Sequence, residues 1–258
     1  MNEEKLISYY NKFNEDKRFN TRHGQVEFQT TLFYINKYLK KFKNPKIIEI
    51  GAGTGKYSGF LANHYDVTAV ELVKHNLRLI EKNYPLVKAY QGNAINLNKF
   101  NDNTFDITLL FGPMYHLLTN KEKELALNEA KRITKTNGII MVAYVMNEYA
   151  IIKHGFIEHN IISAIKEKRI DDNFNIINAD DGLYSMMRLE DINKLNKRVN
   201  LKRITTFTPD GPANYIRNEL NKMNEEEFEI FLKYILEISE RKDILGASAH
   251  IVDVLKKV

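Results

Sequence analysis

Apolar positions along this chain follow two alternating rhythms, and the alternation predicts a layered α/β architecture. Residues 3–13 and 25–38 carry apolar side chains at helical spacing, with Leu32, Phe33, Ile35, Tyr38 and Leu39 on one broad stripe. Short apolar runs follow at 46–50, 67–70, 87–90, 105–111 and 139–145, bounded by Gly, Pro, Asn and Asp, as in strands buried on both faces. Helical spacing returns between them at 57–63, 74–83 and 122–134, so strand and helix take turns as in a parallel sheet covered on both sides. Asn137-Gly138 is expected to close the last of these helices, with the glycine, Gly138, at the left-handed cap. The alternation stops after Met146. Residues 149–168 read as helical, 171–182 as a polar excursion, 201–207 as a strand, 219–241 as a charged helical region and 249–254 as a final strand.

Composition narrows this picture. A chain of 258 residues can bury one large core, or one core with a small cap, and 43% hydrophobic against 28% charged residues excludes a disordered chain. No apolar run reaches the length of a bilayer span, and the opening MNEEKL lacks the basic-then-apolar pattern of an export signal, so the expectation is a cytoplasmic protein with no membrane partner. The absence of cysteine removes disulfides, thiolate metal sites and a thiol nucleophile. A net charge of +5 permits a nucleic-acid partner, but the densest basic stretch, residues 38–46, sits where a helix ends and cations favour the helix dipole. A nucleic-acid partner is therefore not expected.

The chemistry concentrates at residues 46–56, KIIEIGAGTGK. A strand ends near an acidic residue and turns through Gly51, Gly53 and Gly55 into a helix, as needed where a backbone bends sharply and admits a ligand without a Cβ in the way. A dinucleotide site favours G-x-G-x-x-G, whereas here Lys56 stands at the sixth position. Glu49 would repel a pyrophosphate and suits the ammonium end of an amino-acid moiety instead. Glu71 ends the next strand, 20 residues beyond Gly51, where a carboxylate can accept from both ribose hydroxyls.

This E-x-G-x-G-x-G after a strand resembles motif I of the class I S-adenosylmethionine-dependent methyltransferases, with the match spanning roughly residues 47–145. The resemblance implies S-adenosylmethionine as cofactor and S-adenosylhomocysteine as product, held by Glu49, Gly51, Ala52, Gly53 and Gly55, by Glu71 and Leu72, and by the loop at Asn93 and Ala94. Asn93 stands where the family usually has an aspartate for the adenine amino group. Phe111 and Gly112 lead into Pro113-Met114-Tyr115-His116-Leu117, similar to the GPLYHL signature of bacterial members acting on small molecules, and unlike the N/D-P-P-Y/F of enzymes acting on nucleic-acid bases. Gly246-Ala247-Ser248-Ala249-His250 is weakly similar to the same subgroup. In such relatives the leading helices cover the cofactor, so Arg22 would pair with its carboxylate and Tyr10 would close the site; bonding of Arg22 to a helix end or to Glu27 is the alternative. His116 and Tyr115 are the candidate catalytic residues, with His116 either a general base or a scaffold for the loop.

The expected fold is a Rossmann-like seven-stranded sheet with its last strand antiparallel. Its parts are leading helices over residues 1–44, a cofactor-binding core over 45–148, a cap over 149–189 and completion of the sheet over 190–258. The expected activity is methyl transfer to oxygen or nitrogen of a small-molecule acceptor, by a monomer or homodimer. An enzyme modifying RNA or protein, and a non-catalytic S-adenosylmethionine-binding module, remain as alternatives.

Overall fold

The computed structural model describes residues 3–12, 20–177 and 182–257. Helices α1 (Glu3–Lys12) and α2 (Arg22–Leu39) lead into the alternating core: β1 (Lys46–Ile50), α3 (Lys56–Ala62), β2 (Asp66–Glu71), α4 (Lys74–Asn83), β3 (Lys88–Gln91), β4 (Phe105–Leu110), α5 (Asn120–Ile133) and β5 (Thr134–Val145). Beyond it lie α6 (Asn147–Ala150), a π-helical turn (Ile151–Ile157), α7 (Ile161–Lys166), α8 (Leu189–Arg198), β6 (Lys202–Phe207), α9 (Arg217–Leu220), α10 (Glu225–Ile238), α11 (Lys242–Leu245) and β7 (His250–Lys256).

The strands form one sheet in the order β3-β2-β1-β4-β5-β7-β6. All pairings from β3 to β5 are parallel, while β7 runs antiparallel between β5 and β6. Apolar residues on both faces explain the stacking. Ile48, Ile50, Leu110, Ile140 and Val142 pack with Ala126, Leu127 and Ile133 of α5, and Ile47, Val67, Ile107 and Leu109 pack with Ile35 and Tyr38 of α2 and Leu61 of α3. A third cluster joins Val26 of α2 to Leu220, Phe228 and Ile235 of α9 and α10.

Local signals set several boundaries. Thr119 and Glu122 form a reciprocal capping box at the start of α5, and Asn224 and Glu227 do so for α10. Three expectations need correction. Gly138 caps no helix: the positive φ, 64°, falls on Asn137 instead, inside an irregular start of β5, because α5 has already ended at Ile133 and the Asn137 amide bonds the Lys257 carbonyl across the sheet. Residues 149–168 are not one helix: the chain breaks after the π-helical turn, with His159 and Lys168 both at positive φ. The charged region 219–241 divides likewise into α9 and α10.

Candidate active site

The strand order reverses between β1 and β4, and the carboxyl ends of neighbouring strands open a crevice there. Within it lies a cavity bounded by Gly51 and Gly53 after β1, Glu71, Leu72 and Val73 after β2, Gly92, Asn93 and Ala94 after β3, and Gly112, Pro113, Tyr115, His116 and Leu117 after β4. Leu6 and Tyr10 of α1 and Asn76 of α4 complete the wall.

Glycine is required where the first and fourth loops meet. Gly51 has φ of 73°, and a Cβ there would stand 2.5 Å from Pro113 Cδ; a Cβ on Gly112 would stand 2.7 Å from the Gly51 carbonyl oxygen. The two loops therefore touch through backbone. Glu71, only 5% exposed, is fixed against the turn: one carboxylate oxygen accepts from the Gly53 amide at 2.7 Å and the other from the Val73 amide at 2.8 Å. Each such oxygen accepts more than one hydrogen bond, so a carboxylate held this way presents paired acceptors to a diol. Glycines without Cβ, paired acceptors and apolar Leu72, Val73 and Ala94 together fit a ribose and its base.

Other anticipated residues are placed differently. Glu49 is buried beside the cavity rather than in its wall, and its carboxylate accepts from the backbone and hydroxyl of Ser58 in α3, anchoring the helix to the strand. Gly55 caps α3 at φ 82°, and Ala52 packs in the core, neither lining the cavity. Phe111 turns away to meet Tyr57, ring centroids 5.4 Å apart. Asn93 lines the cavity, but its side-chain oxygen accepts from the Ile95 amide and its nitrogen donates to Glu3 of α1 at 2.6 Å. Arg22 is not brought to the cavity at all: its guanidinium binds both oxygens of Glu225 at the start of α10 and lies over the Phe228 ring.

His116 is held at both nitrogens. Nδ1 meets the Leu183 carbonyl at 2.8 Å, and since a carbonyl only accepts, Nδ1 carries the proton; Nε2 then accepts from the Tyr10 hydroxyl at 2.8 Å. Burial pushes the imidazole down to about 4, partly opposed by the Leu183 carbonyl, so the ring is neutral near pH 7. The same loop is tied to the segment before α8 by the Ser185 amide, which donates to the Tyr115 carbonyl at 2.7 Å. Lys123 of α5, 1% exposed, donates to the Leu117 carbonyl and to Ser185 Oγ, and burial pushes its ammonium down to about 8. Tyr184 packs on His116 and Tyr115, while Tyr9 meets Tyr184 edge-on. Leu6, Val73, Asn76, Lys123, Leu183, Tyr184 and Ser185 carried no motif in the sequence, because their contacts join segments remote along the chain.

Residues 48–142 match the family model described as a methyltransferase domain. No curated protein matches the sequence. Among solved structures, the PH0226 protein of Pyrococcus horikoshii is 16% identical, with 96% of this chain and 98% of that one covered at a TM-score of 0.59. A SAM-dependent methyltransferase of Thermotoga maritima is 19% identical, with 97% and 98% covered at a TM-score of 0.57. Another, from Methanosarcina mazei, is 15% identical, with 87% and 97% covered at a TM-score of 0.56. At these identities the likeness concerns the fold. Among the described residues, no helix is long and apolar enough to cross a membrane.

Proposed function

We propose that this chain, an S-adenosylmethionine-dependent methyltransferase by its domain at residues 48–142, methylates an oxygen or nitrogen atom of a small-molecule acceptor. The observation that carries the reading is the enclosure of the reaction loop. Tyr9 and Tyr10 of α1 and Tyr184 of the 149–189 segment interlock with Tyr115 and His116, which suits a compact acceptor better than a nucleic-acid strand or a folded protein.

The residues that would hold the cofactor are Glu71 for the ribose, Leu72, Val73 and Ala94 beside the base, and the Gly51–Gly53 turn, whose lack of Cβ leaves room for close approach. When bound, S-adenosylmethionine supplies a methyl group on a cationic sulfur. The chain's own contribution is then positioning, which can lower a barrier by roughly 7–11 kcal/mol when reacting atoms are held in line. Leu183, Ser185 and Lys123 fix the Tyr115–Leu117 loop, and neutral His116 holds Tyr10 over the cavity. With both nitrogens engaged, His116 acts here as a positioning residue. Residues 149–189 would form the acceptor-side cap.

Calorimetry tests the cofactor assignment: S-adenosylhomocysteine is expected to bind and NAD is not. Transfer of tritium from methyl-labelled S-adenosylmethionine to small amines and phenols, and none to bulk RNA or protein, is the expected product result. Labelled macromolecule with unlabelled small molecules would overturn the acceptor class.

A further inference from the structure

Asn76 is a polar residue in an apolar place. It is the third residue of α4 and only 2% exposed, and the other buried residue of that helix is Ile80. Val73, at the N-cap one turn earlier, borders the cavity at the strand ends, as Asn76 does, and Leu6, Leu72 and Ala94 line it too. A leucine or methionine would suit such neighbours, because an amide buried without partners costs stability.

The Asn76 amide is uncommitted. Among the described residues its side-chain oxygen and nitrogen find no hydrogen-bond partner, yet neither atom is sealed in: both keep contact with open space, and for a residue 2% exposed that space is the cavity it lines. Three other polar side chains of the wall are held by the protein itself. Glu71 accepts from the Gly53 and Val73 amides, Asn93 is bound to the Ile95 amide and to Glu3, and His116 to Leu183 and Tyr10. Asn76 alone among these four keeps both a donor and an acceptor for a ligand.

We propose that Asn76 reads the adenine of the cofactor at its amino edge, its side-chain oxygen accepting from the 6-amino group and its nitrogen donating to the adjacent ring nitrogen. The inference rests on the S-adenosylmethionine reading above. That edge sets one donor beside one acceptor, and a carboxamide offers the complementary pair in one plane. The task falls to Asn76 because Asn93, standing where the family usually has an aspartate for the amino group, spends its oxygen on the Ile95 amide and its nitrogen on Glu3. Position favours the base over the rest of the cofactor: Glu71 supplies the acceptors for the ribose diol, and Tyr115 and His116 stand after β4, whereas Asn76 follows β2 beside Leu72 and Val73. In these apolar surroundings water competes weakly, and pairing with the base recovers what the buried amide costs. Asn76 is thus a specificity residue, with no part in moving the methyl group.

Calorimetry on the full chain tests the contact with two ligands, S-adenosylhomocysteine and its 6-deamino analogue, in which hydrogen replaces the amino group. The wild type is expected to bind the analogue about tenfold more weakly, the loss of one hydrogen bond in a water-poor site. In Asn76→Leu, which fills a similar volume without polar atoms, S-adenosylhomocysteine affinity should fall about tenfold and the preference for it over the analogue should shrink below about threefold. A merely structural role would weaken both ligands alike and leave that preference intact. Asn76→Ala gives the same comparison should leucine not be accommodated, and melting temperatures check both variants. Asn93→Ala is expected to keep the preference, whatever it does to affinity by releasing Glu3. A wild type that binds the two ligands equally, or a preference that survives the loss of the Asn76 amide, overturns the proposal. Failure of the wild type to bind S-adenosylhomocysteine would instead defeat the methyltransferase reading itself.

Discussion

Tyr10 and His116, 106 positions apart, are joined by a 2.8 Å hydrogen bond from the tyrosine hydroxyl to Nε2, so a helix near the start of the chain is latched to the loop after the fourth strand. The latch depends on a neutral imidazole, since a protonated ring has no acceptor to offer.

That dependence has a sign. The folded state holds His116 near 4 and the unfolded chain near 6.5, so the unfolded state binds more protons between these values. The stabilising effect is complete above about pH 6.5 and is lost as pH falls toward 4, amounting to roughly 3 kcal/mol at most. Urea unfolding of His116→Gln, which does not titrate, should show a correspondingly shallower decline across that window. Parallel curves for variant and wild type would refute the buried neutral histidine.

Glu71→Ala removes both acceptors beneath the Gly53 and Val73 amides. Charge-assisted hydrogen bonds contribute about 1.5–3 kcal/mol each, less what water restores, so S-adenosylhomocysteine affinity should fall roughly 10- to 100-fold by calorimetry. Unchanged affinity would remove Glu71 from the ribose site.

For Gly51→Ala the obstacle is steric and conformational together: φ of 73°, and Pro113 Cδ 2.5 Å from the new Cβ. A loss of roughly 1–3 kcal/mol in unfolding free energy is expected, with cofactor binding abolished as the two loops separate. Wild-type stability and binding would show that the contact is not tight.

Arg22→Ala distinguishes a cofactor ligand from a tie between helices. Its partner Glu225 is 84% exposed, so the pair should contribute under about 1 kcal/mol, with S-adenosylhomocysteine affinity unchanged. A tenfold weaker affinity would place Arg22 at the cofactor after all.

The alternating core was legible in the sequence because its causes are local. Ile47, Ile48 and Ile50 form a strand buried on both faces, and Gly51, Gly53 and Gly55 supply the positive φ values, 73°, 56° and 82°, that the turn needs. Asn137 shows the limit of that reasoning: the left-handed residue was expected at Gly138 after a helix, but it is Asn137, whose amide's partner, the Lys257 carbonyl, is 120 positions away, so only assembly of the sheet decided which element the pair belongs to.

The buried side-chain pairings divide along the same line. Glu71 could be found from its spacing after the glycines, since strand length and loop length fix that distance along the chain. Asp210 and His250 have no such relation: they meet because β6 and β7 pair antiparallel, Phe207 opposite Val252, with the sharp Gly211 turn at one end. Composition, the alternation of strands with helices and the glycine turn were thus determined by sequence alone. Which carboxylate lines the cavity, which one anchors a helix, and how His116 is held at both nitrogens were decided by tertiary contacts, because hydrogen-bond partners distant in sequence become neighbours only when the sheet closes.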